Sequence, residues 1–233
     1  MLILALETSG PFGGLAVLED GKLLGEVMLS SHETYSKILL DTMEWLFKRL
    51  RTGWSHIGMI AVSLGPGSFT GLRIGIATAK GLAFSLGIPL VGVPTLDALA
   101  ANITGCGDDL ICPVLDAKKK QVYLAFYQGQ ANGCIRRISN FQCLTPKEAV
   151  KAIPSAGRIF ILGDGADLLD LNELSLPNRQ AYLAPAHLAH IRAGNIGLLA
   201  WQRFISGSPD DTGALKPIYV RPSDAELNNN TPH

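Results

Sequence analysis

Ile57-Gly-Met-Ile-Ala-Val-Ser63, Leu64-Gly-Pro-Gly-Ser-Phe-Thr-Gly-Leu-Arg73 and Ile74-Gly-Ile-Ala-Thr-Ala-Lys-Gly-Leu-Ala-Phe-Ser-Leu-Gly87 follow one another without a break. They read as a buried strand, a glycine-rich turn and an apolar helix. Gly65, Pro66, Gly67 and Gly71 shape the turn, and Ser68 or Thr70 can cap the helix. Within the helix only Arg73 and Lys80 are charged, while Leu72, Ile74, Ile76, Leu82, Phe84 and Leu86 fall all round it. Such a helix is expected to be covered on every side. Gly71, Gly75, Ala79 and Ala83 recur every fourth residue. That row predicts a smooth ridge where another helix approaches closely, which would offset the roughly 1 kcal/mol that a helical glycine costs against alanine.

Working outward, the chain has 233 residues, 47% hydrophobic and 17% charged, with 20 basic residues against 20 acidic. That length suits one large or two small domains. The apolar excess points to a covered partner surface. A neutral chain is a poor general binder of nucleic acid, so any RNA contact has to be local or shared. No apolar run is long enough to span a bilayer. Met1-Leu-Ile-Leu-Ala-Leu-Glu7 lacks the basic lead and cleavage site of a signal peptide. The expected location is cytoplasmic, with no membrane partner. Cys106, Cys112, Cys134 and Cys143 form no C-x-x-C pair and read as free thiols, not zinc ligands.

Ahead of the quoted stretch, Leu2 to Leu6, Leu15 to Glu19 and Lys22 to Leu29 read as strands, the last two joined at Asp20-Gly21. A helix is expected from Glu33 to Leu50. Its main stripe includes Tyr35, Leu39, Met43 and Leu46, and Leu40 and Phe47 form a second. Two stripes predict two covered faces, one on the chain's own sheet and one elsewhere. After the quoted stretch come a strand, Ile88 to Val93, and a helix, Thr95 to Thr104. Gly105 to Asp109 reads as a joint, after which the order repeats. Three strands, Ile111 to Leu115, Gln121 to Tyr127 and Cys134 to Phe141, precede a helix opened by the capping box Thr145-Pro-Lys-Glu148. A strand from Arg158 to Leu162, a turn at Gly163-Asp-Gly-Ala166 leading into a helix, a strand from Gln180 to Leu183 and a long helix from Pro185 to Ser206 complete it. The expectation is an N-terminal lobe over 1–104, a C-terminal lobe over 105–222 and a polar tail over 223–233, each lobe an α/β unit with a mixed sheet flanked by helices.

Leu4-Ala-Leu-Glu-Thr-Ser9, Gly65 to Gly81, Asp116-Ala-Lys-Lys-Lys-Gln-Val-Tyr123 and Lys216-Pro-Ile-Tyr-Val-Arg221 together resemble the TsaB (YeaZ) family. The resemblance covers nearly the whole chain and is most specific over Gly65 to Gly81. It implies a duplicated actin-like (ASKHA, RNase H-like) fold. It also implies a bacterial subunit in forming N6-threonylcarbamoyladenosine at position 37 of ANN-decoding tRNAs. Such a subunit is a non-catalytic scaffold that pairs with the catalytic paralogue TsaD, is joined by the ATPase TsaE and can self-associate. No intrinsic cofactor is implied; ATP and Mg or Zn belong to the partner subunits.

Several sites admit two readings. Glu7, Thr8 and Ser9 stand where ATP-using relatives hold metal and phosphate, yet would also serve as an ordinary hairpin. Gly163 and Gly165 fit either an adenosine-supporting turn or a plain strand-to-helix turn. Lys118, Lys119 and Lys120 could touch tRNA phosphates or form a solvated turn. The metal-binding His-x-x-x-His of the catalytic paralogue has His32 as its nearest counterpart, without the second histidine. His187 and His190 have a legal ligand spacing but read as exposed helix residues. No complete catalytic set is present. A metal-dependent glycopeptidase and a stand-alone ATPase or kinase are the alternatives. Gly65 to Gly71 either binds an anion or aims the apolar helix at a partner. The second reading predicts a four-helix interface built from Tyr35, Leu39, Met43, Leu46, Gly71, Leu72, Gly75, Ile76 and Ala79, with Arg73 and Lys80 at the rim. Its alternative is that both helices line the chain's own core.

Overall fold

The computed structural model describes residues 1–30, 35–103, 109–130, 135–155, 157–174, 177–207 and 214–221. The expected tail over 223–233, and all of the expected joint except Asp109, lie outside them. The first half runs β1 (Leu2–Glu7), β2 (Phe12–Glu19), β3 (Lys22–Ser30), α1 (Tyr35–Leu50), β4 (Ile57–Ser63), α2 (Phe69–Leu86), β5 (Leu90–Val93) and α3 (Thr95–Ala100). The second half runs β6 (Leu110–Lys118), β7 (Gln121–Leu124), β8 (Tyr127–Gly129), β9 (Ile135–Arg137), β10 (Gln142–Leu144), α4 (Pro146–Ala152), β11 (Gly157–Leu162), α5 (Leu171–Leu174), β12 (Arg179–Leu183) and α6 (Ala193–Ile205).

The first sheet has the order β3-β2-β1-β4-β5, and the main path of the second is β10-β7-β6-β11-β12. With β8 and β9, which lie off the main path, left out of the count, both orders read third, second, first, fourth, fifth. This is the duplicated actin-like fold. β1 pairs antiparallel with β2 and parallel with β4; β6 does the same with β7 and β11. The capping box at Thr145 forms in both directions. Asp20 and Gly21 turn the β2–β3 hairpin with φ of 49° and 81°, the left-handed pair that a two-residue hairpin needs. Two expected strands are shorter than read: Gln121 to Tyr127 stops at Leu124 as β7, with β8 opening at Tyr127, and of Cys134 to Phe141 only Ile135–Arg137 is strand, β9, while β10 begins just beyond it at Gln142. No helix of the described residues is long and apolar enough to cross a membrane.

The long helix expected from Pro185 to Ser206 is a short 3-10 turn at Ala186–Leu188 followed by α6. α6 does not stay with the second sheet. It packs across the first, on the face opposite α1 and α2, with Ile196 and Ala200 against Ile3, Ala5 and Leu18. Gly197 allows this approach, since a Cβ there would lie 2.2 Å from Leu18. Glu26 on β3 fixes the helix start: it is ion-paired to Arg192 and accepts the Gly194 N–H at 2.9 Å. The 105–222 segment is therefore not self-contained, because its last helix covers the first sheet. Beyond α6, Leu215 is buried in the first lobe and Ile218 N–H donates to the Leu64 carbonyl at 2.7 Å. Arg221 then reaches Gln121 of the second sheet at 3.0 Å.

α2 sits on the other face of the first sheet. Ser68, not Thr70, caps it by accepting the Gly71 N–H. Its small-residue row faces inward. A Cβ on Gly71 would stand 1.9 Å from the Thr8 carbonyl oxygen, and one on Gly75 2.2 Å from Thr8 Oγ1. Thr8 Oγ1 donates to the Gly71 carbonyl at 2.8 Å across this contact. Nor is the helix covered all round: Phe84 is 88% exposed.

Gly71→Ala is expected to destabilise the protein by about 1–3 kcal/mol, the usual range for forced overpacking, because rigid backbone cannot yield to the new methyl. A urea midpoint equal to that of the unsubstituted protein would contradict this contact. Gly75→Leu is expected to disturb folding in the same way.

Candidate functional site

Two features are built on α1, α2 and the loops above the sheets. The first is the outer face of the helix pair. Leu39, Met43, Leu46, Leu72, Ile76 and Ala79, expected at a partner interface, are buried in the chain's own core together with Gly71 and Gly75. That expectation is corrected: these residues form the inner stripe, which hydrophobic burial assigns to the sheet. Arg73 is exposed and Lys80 half-buried, and the side chain of Tyr35 lies outside the described residues. The outward face carries a different set. Leu40 is 50% and Trp45 51% exposed on α1, and Phe84 is exposed on α2. Ala77 and Gly81 on α2 are exposed as well, and Gly81 has open space where a side chain would stand. Arg49 lies 5.4 Å from the centre of the Trp45 ring. The second stripe read from the sequence divides: Leu40 points outward, while Phe47 is buried and edge-on to Trp54.

The second feature is a cleft of about 800 Å³ between the lobes. Its first-lobe wall includes Ser9, Gly10 and the start of α2; its second-lobe wall includes Asp116 to Lys119, Tyr123 and Asp164. Tyr219 and Arg221, from the segment that crosses between the lobes, line it as well. Lys118, Lys119 and Lys120 have φ of 61°, 51° and 60°. Lys118 pairs with Gln121 in the β6–β7 ladder, so Lys119-Lys120 form a two-residue hairpin turn where Asn-Gly is the usual choice. The glycine-free loop thus adopts a left-handed path despite its side chains. Lys118 Nζ lies 2.7 Å from Asp116 Oδ2. Burial pushes Asp116 up, but hydrogen bonds and charge from Lys118 outweigh it and hold the carboxyl below its usual value. Asp164 is raised, mainly by burial, although it accepts the Asp116 N–H.

The residues expected to hold a nucleotide do not fit that role. Glu7 is fully buried, and its Oε1 accepts from Ser9 N–H, Ser9 Oγ–H and Gly10 N–H. Ser63 is close enough to help hold its charge, though neither the Ser63 hydroxyl nor Glu7 Oε2 completes a hydrogen bond. Glu7 therefore braces the β1–β2 turn and presents no surface to the cleft. Thr8 is buried under α2. Ser9 reaches the cleft wall but accepts from Thr95 Oγ–H and gives its carbonyl to Ser68. At Gly163 a Cβ would lie 2.1 Å from the Val114 carbonyl, and at Gly165 2.6 Å from Leu115 backbone. Both glycines pack closely on β6. His187 lies in the 3-10 turn and His190 packs on the Phe12 ring at 4.2 Å, so the two do not share a helix. His32 lies outside the described residues. Among the described residues no group of three or more His, Cys, Asp or Glu could hold a metal ion. Cys112 and Cys143 are free thiols; Cys106 and Cys134 lie outside the described residues.

Phe69, Tyr123, Tyr219 and Arg221 went unselected in the sequence. Each lies inside a motif quoted from the sequence, Phe69 in Gly65 to Gly81, Tyr123 in Asp116 to Tyr123, and Tyr219 and Arg221 in Lys216 to Arg221, but nothing in the spacing of these motifs placed the four together at the cleft.

The TsaD family, described as tRNA N6-adenosine threonylcarbamoyltransferase, matches residues 22–147. The chain is 29% identical over 227 residues to the tRNA threonylcarbamoyladenosine biosynthesis protein TsaB of Bacillus subtilis, covering 97% of this chain and 96% of that one. It is 34% identical to TsaB of Escherichia coli over 134 residues, 57% of this chain and 58% of that one. A Pseudomonas aeruginosa protein described as similar to peptidase YEAZ superposes with a TM-score of 0.79 at 28% identity, covering 94% of this chain and 99% of that one. YeaZ of Pseudomonas aeruginosa superposes with a TM-score of 0.76 at 24% identity, covering 94% and 100%.

Burial is the main cause that raises the Glu7 carboxyl above its ordinary value, against the opposing hydrogen bonds. A raised folded-state value means that the protonated form favours folding. The stability contributed is complete below 4.5 and is lost as pH rises through the folded value. Glu7→Gln is expected to flatten the fall in melting temperature above pH 4.5. An unchanged pH profile would contradict the buried, braced carboxyl.

Proposed function

The chain belongs to the TsaD family, and from that membership we propose that it is a TsaB (YeaZ)-type, non-catalytic subunit that pairs with a TsaD-type partner. The product is threonylcarbamoyladenosine in tRNA, at position 37 of ANN-decoding tRNAs. One observation carries the pairing: large apolar side chains are exposed on two adjacent helices, Leu40 and Trp45 on α1 and Phe84 on α2, where Ala77 and Gly81 are exposed as well. Burying one such large side chain stabilises an interface by roughly 1.5–3 kcal/mol. The flat position at Gly81 lets an opposing helix come close.

The TsaD family match spans both helices. A paralogous partner would bring an equivalent pair, and two pairs stacked face to face make a four-helix layer. The core-facing stripe stays with the sheet, and Arg73, Lys80 and Arg49 lie at the rim. A TsaE-type ATPase joins the pair, and ATP and its metal belong to those partners. A second copy of this chain competes for the same face, so self-association and pairing with the paralogue exclude each other.

The buried Glu7 supports the non-catalytic reading, because that side chain is committed to bracing its own turn. The reading is tested with purified chain, paralogue, ATPase and a tRNA substrate. Modified adenosine is expected only when the paralogue is present; turnover by this chain alone would overturn it. Phe84→Glu with Leu40→Glu is expected to abolish co-elution with the paralogue on a sizing column while leaving the melting temperature of the isolated chain unchanged. Retained co-elution would remove the helix pair from the interface.

A further inference from the structure

We propose that the cleft between the lobes binds a single-stranded segment of RNA, with phosphates on side-chain cations and a base on an aromatic stack. This deepens the preceding reading and rests on it, taking the RNA to be the tRNA of that reaction.

The cleft is rich in cations: Arg73, Lys118, Lys119 and Arg221 line it, against Asp116 and Asp164. The charge of Asp116 is met by Lys118. Arg221 is held at one edge, donating from Nη1 to Gln121 Oε1 at 3.0 Å, while its buried Nε has no hydrogen-bond partner. With one edge anchored and Nε buried, the contact to a phosphate oxygen falls to the remaining Nη N–H groups of this cleft-lining guanidinium. The Arg73 guanidinium lies 3.8 Å from the centre of the Phe69 ring, and that ring lies 5.4 Å from Tyr219. Phe69 and Tyr219 are both exposed. Their stack can receive an unpaired base, and cations beside aromatic faces are the usual surface for single-stranded nucleic acid.

The same walls argue against a mononucleotide with its phosphates close to the backbone. A nest of bare N–H groups needs glycine at its rim. Here a Cβ on Gly67 would meet the Ser9 carbonyl at 2.5 Å, so that glycine serves packing. The β6–β7 turn keeps its side chains, with Lys118, Lys119 and Lys120 all at positive φ. Strain of this kind persists where the side chains are retained for a purpose. Lysines on long stems contact a phosphodiester backbone without reading sequence. The neutral net charge of the chain confines this affinity to the cleft. The cleft adjoins the start of α2, so RNA and paralogue would engage opposite ends and faces of one helix.

The test uses the full chain in complex with the paralogue and a fluorescent stem-loop carrying the anticodon loop of an ANN-decoding tRNA. Affinity is measured by anisotropy across a salt series. Lys119→Asn with Lys120→Gly removes two charges and installs the preferred turn residues, so folding is kept. Of the two only Lys119 lines the cleft, so the variant is expected to weaken binding and make the slope of log affinity against log salt shallower by about 0.7, the value for one lost phosphate contact. Tyr219→Ala is expected to weaken binding by about tenfold, within the range for a stacking residue, with little change in slope. Affinity and slope unchanged in both variants, with paralogue still co-eluting, would overturn the cleft proposal and leave the pairing intact. ATP competing the RNA out of the chain's own cleft at micromolar concentration would overturn it in favour of a mononucleotide. Loss of co-elution in Phe84→Glu with Leu40→Glu reports on pairing alone and separates the two readings.

Discussion

The contact between α2 and the end of β1 governs the rest of the molecule. Gly71 and Gly75 bring the helix backbone against Thr8, close enough that the Thr8 hydroxyl bonds to the Gly71 carbonyl. A helix held that tightly has its rotation fixed. Leu72, Ile76, Ala79 and Ala83 must then enter the core, and Ala77, Gly81 and Phe84 must face away. The apolar outer face is a consequence of how the inner one is seated. The same contact sets the Ser9 carbonyl against the Ser68 N–H, so the loop opening α2 and the β1–β2 turn form one rigid wall of the cleft.

The two lobes are tied together by chain that crosses between them. α6 belongs to the second half by order but completes the first sheet, leaving that sheet with helices on both faces. The segment after it returns under Leu64 and ends at Gln121. Asp97 on α3 adds a polar tie, accepting from Tyr127 at 2.6 Å and pairing with Arg137 at 3.2 Å. The cleft is therefore bordered by elements that reach both sheets, and its shape depends on several independent anchors.

Duplication supplies two equivalent turns, and this chain has assigned both to structure. In the first, Glu7 is drawn under its own loop by three donors. In the second, lysines occupy a left-handed turn, with Asp116 held by Lys118. A carboxylate buried under its own loop presents no surface to the cleft, and a turn that projects side chains does not present bare backbone. One fold can serve many uses, and the chemistry of the individual turns decides which. Here it leaves an apolar helix face and a cationic cleft as the surfaces able to recognise something else.

The sequence by itself determined the order of elements, the duplication and the family. These rest on local signals: the capping box at Thr145, the Asp20-Gly21 turn, the apolar run Ile57 to Ser63 and the resemblance over Gly65 to Gly81. It also showed that α1 and α2 carry more apolar surface than one sheet can cover. Only the tertiary structure decided which side of α2 meets the sheet. Glycine, alanine and leucine lie all round that helix, so no periodicity distinguishes inside from outside; the choice comes from Thr8, more than sixty positions away in the chain. The crossing of α6 to the first sheet and the meeting of Tyr219 and Arg221 with Lys118 were hidden for the same reason. They depend on long-range shape and on missing side chains, which a linear pattern of residue types does not encode.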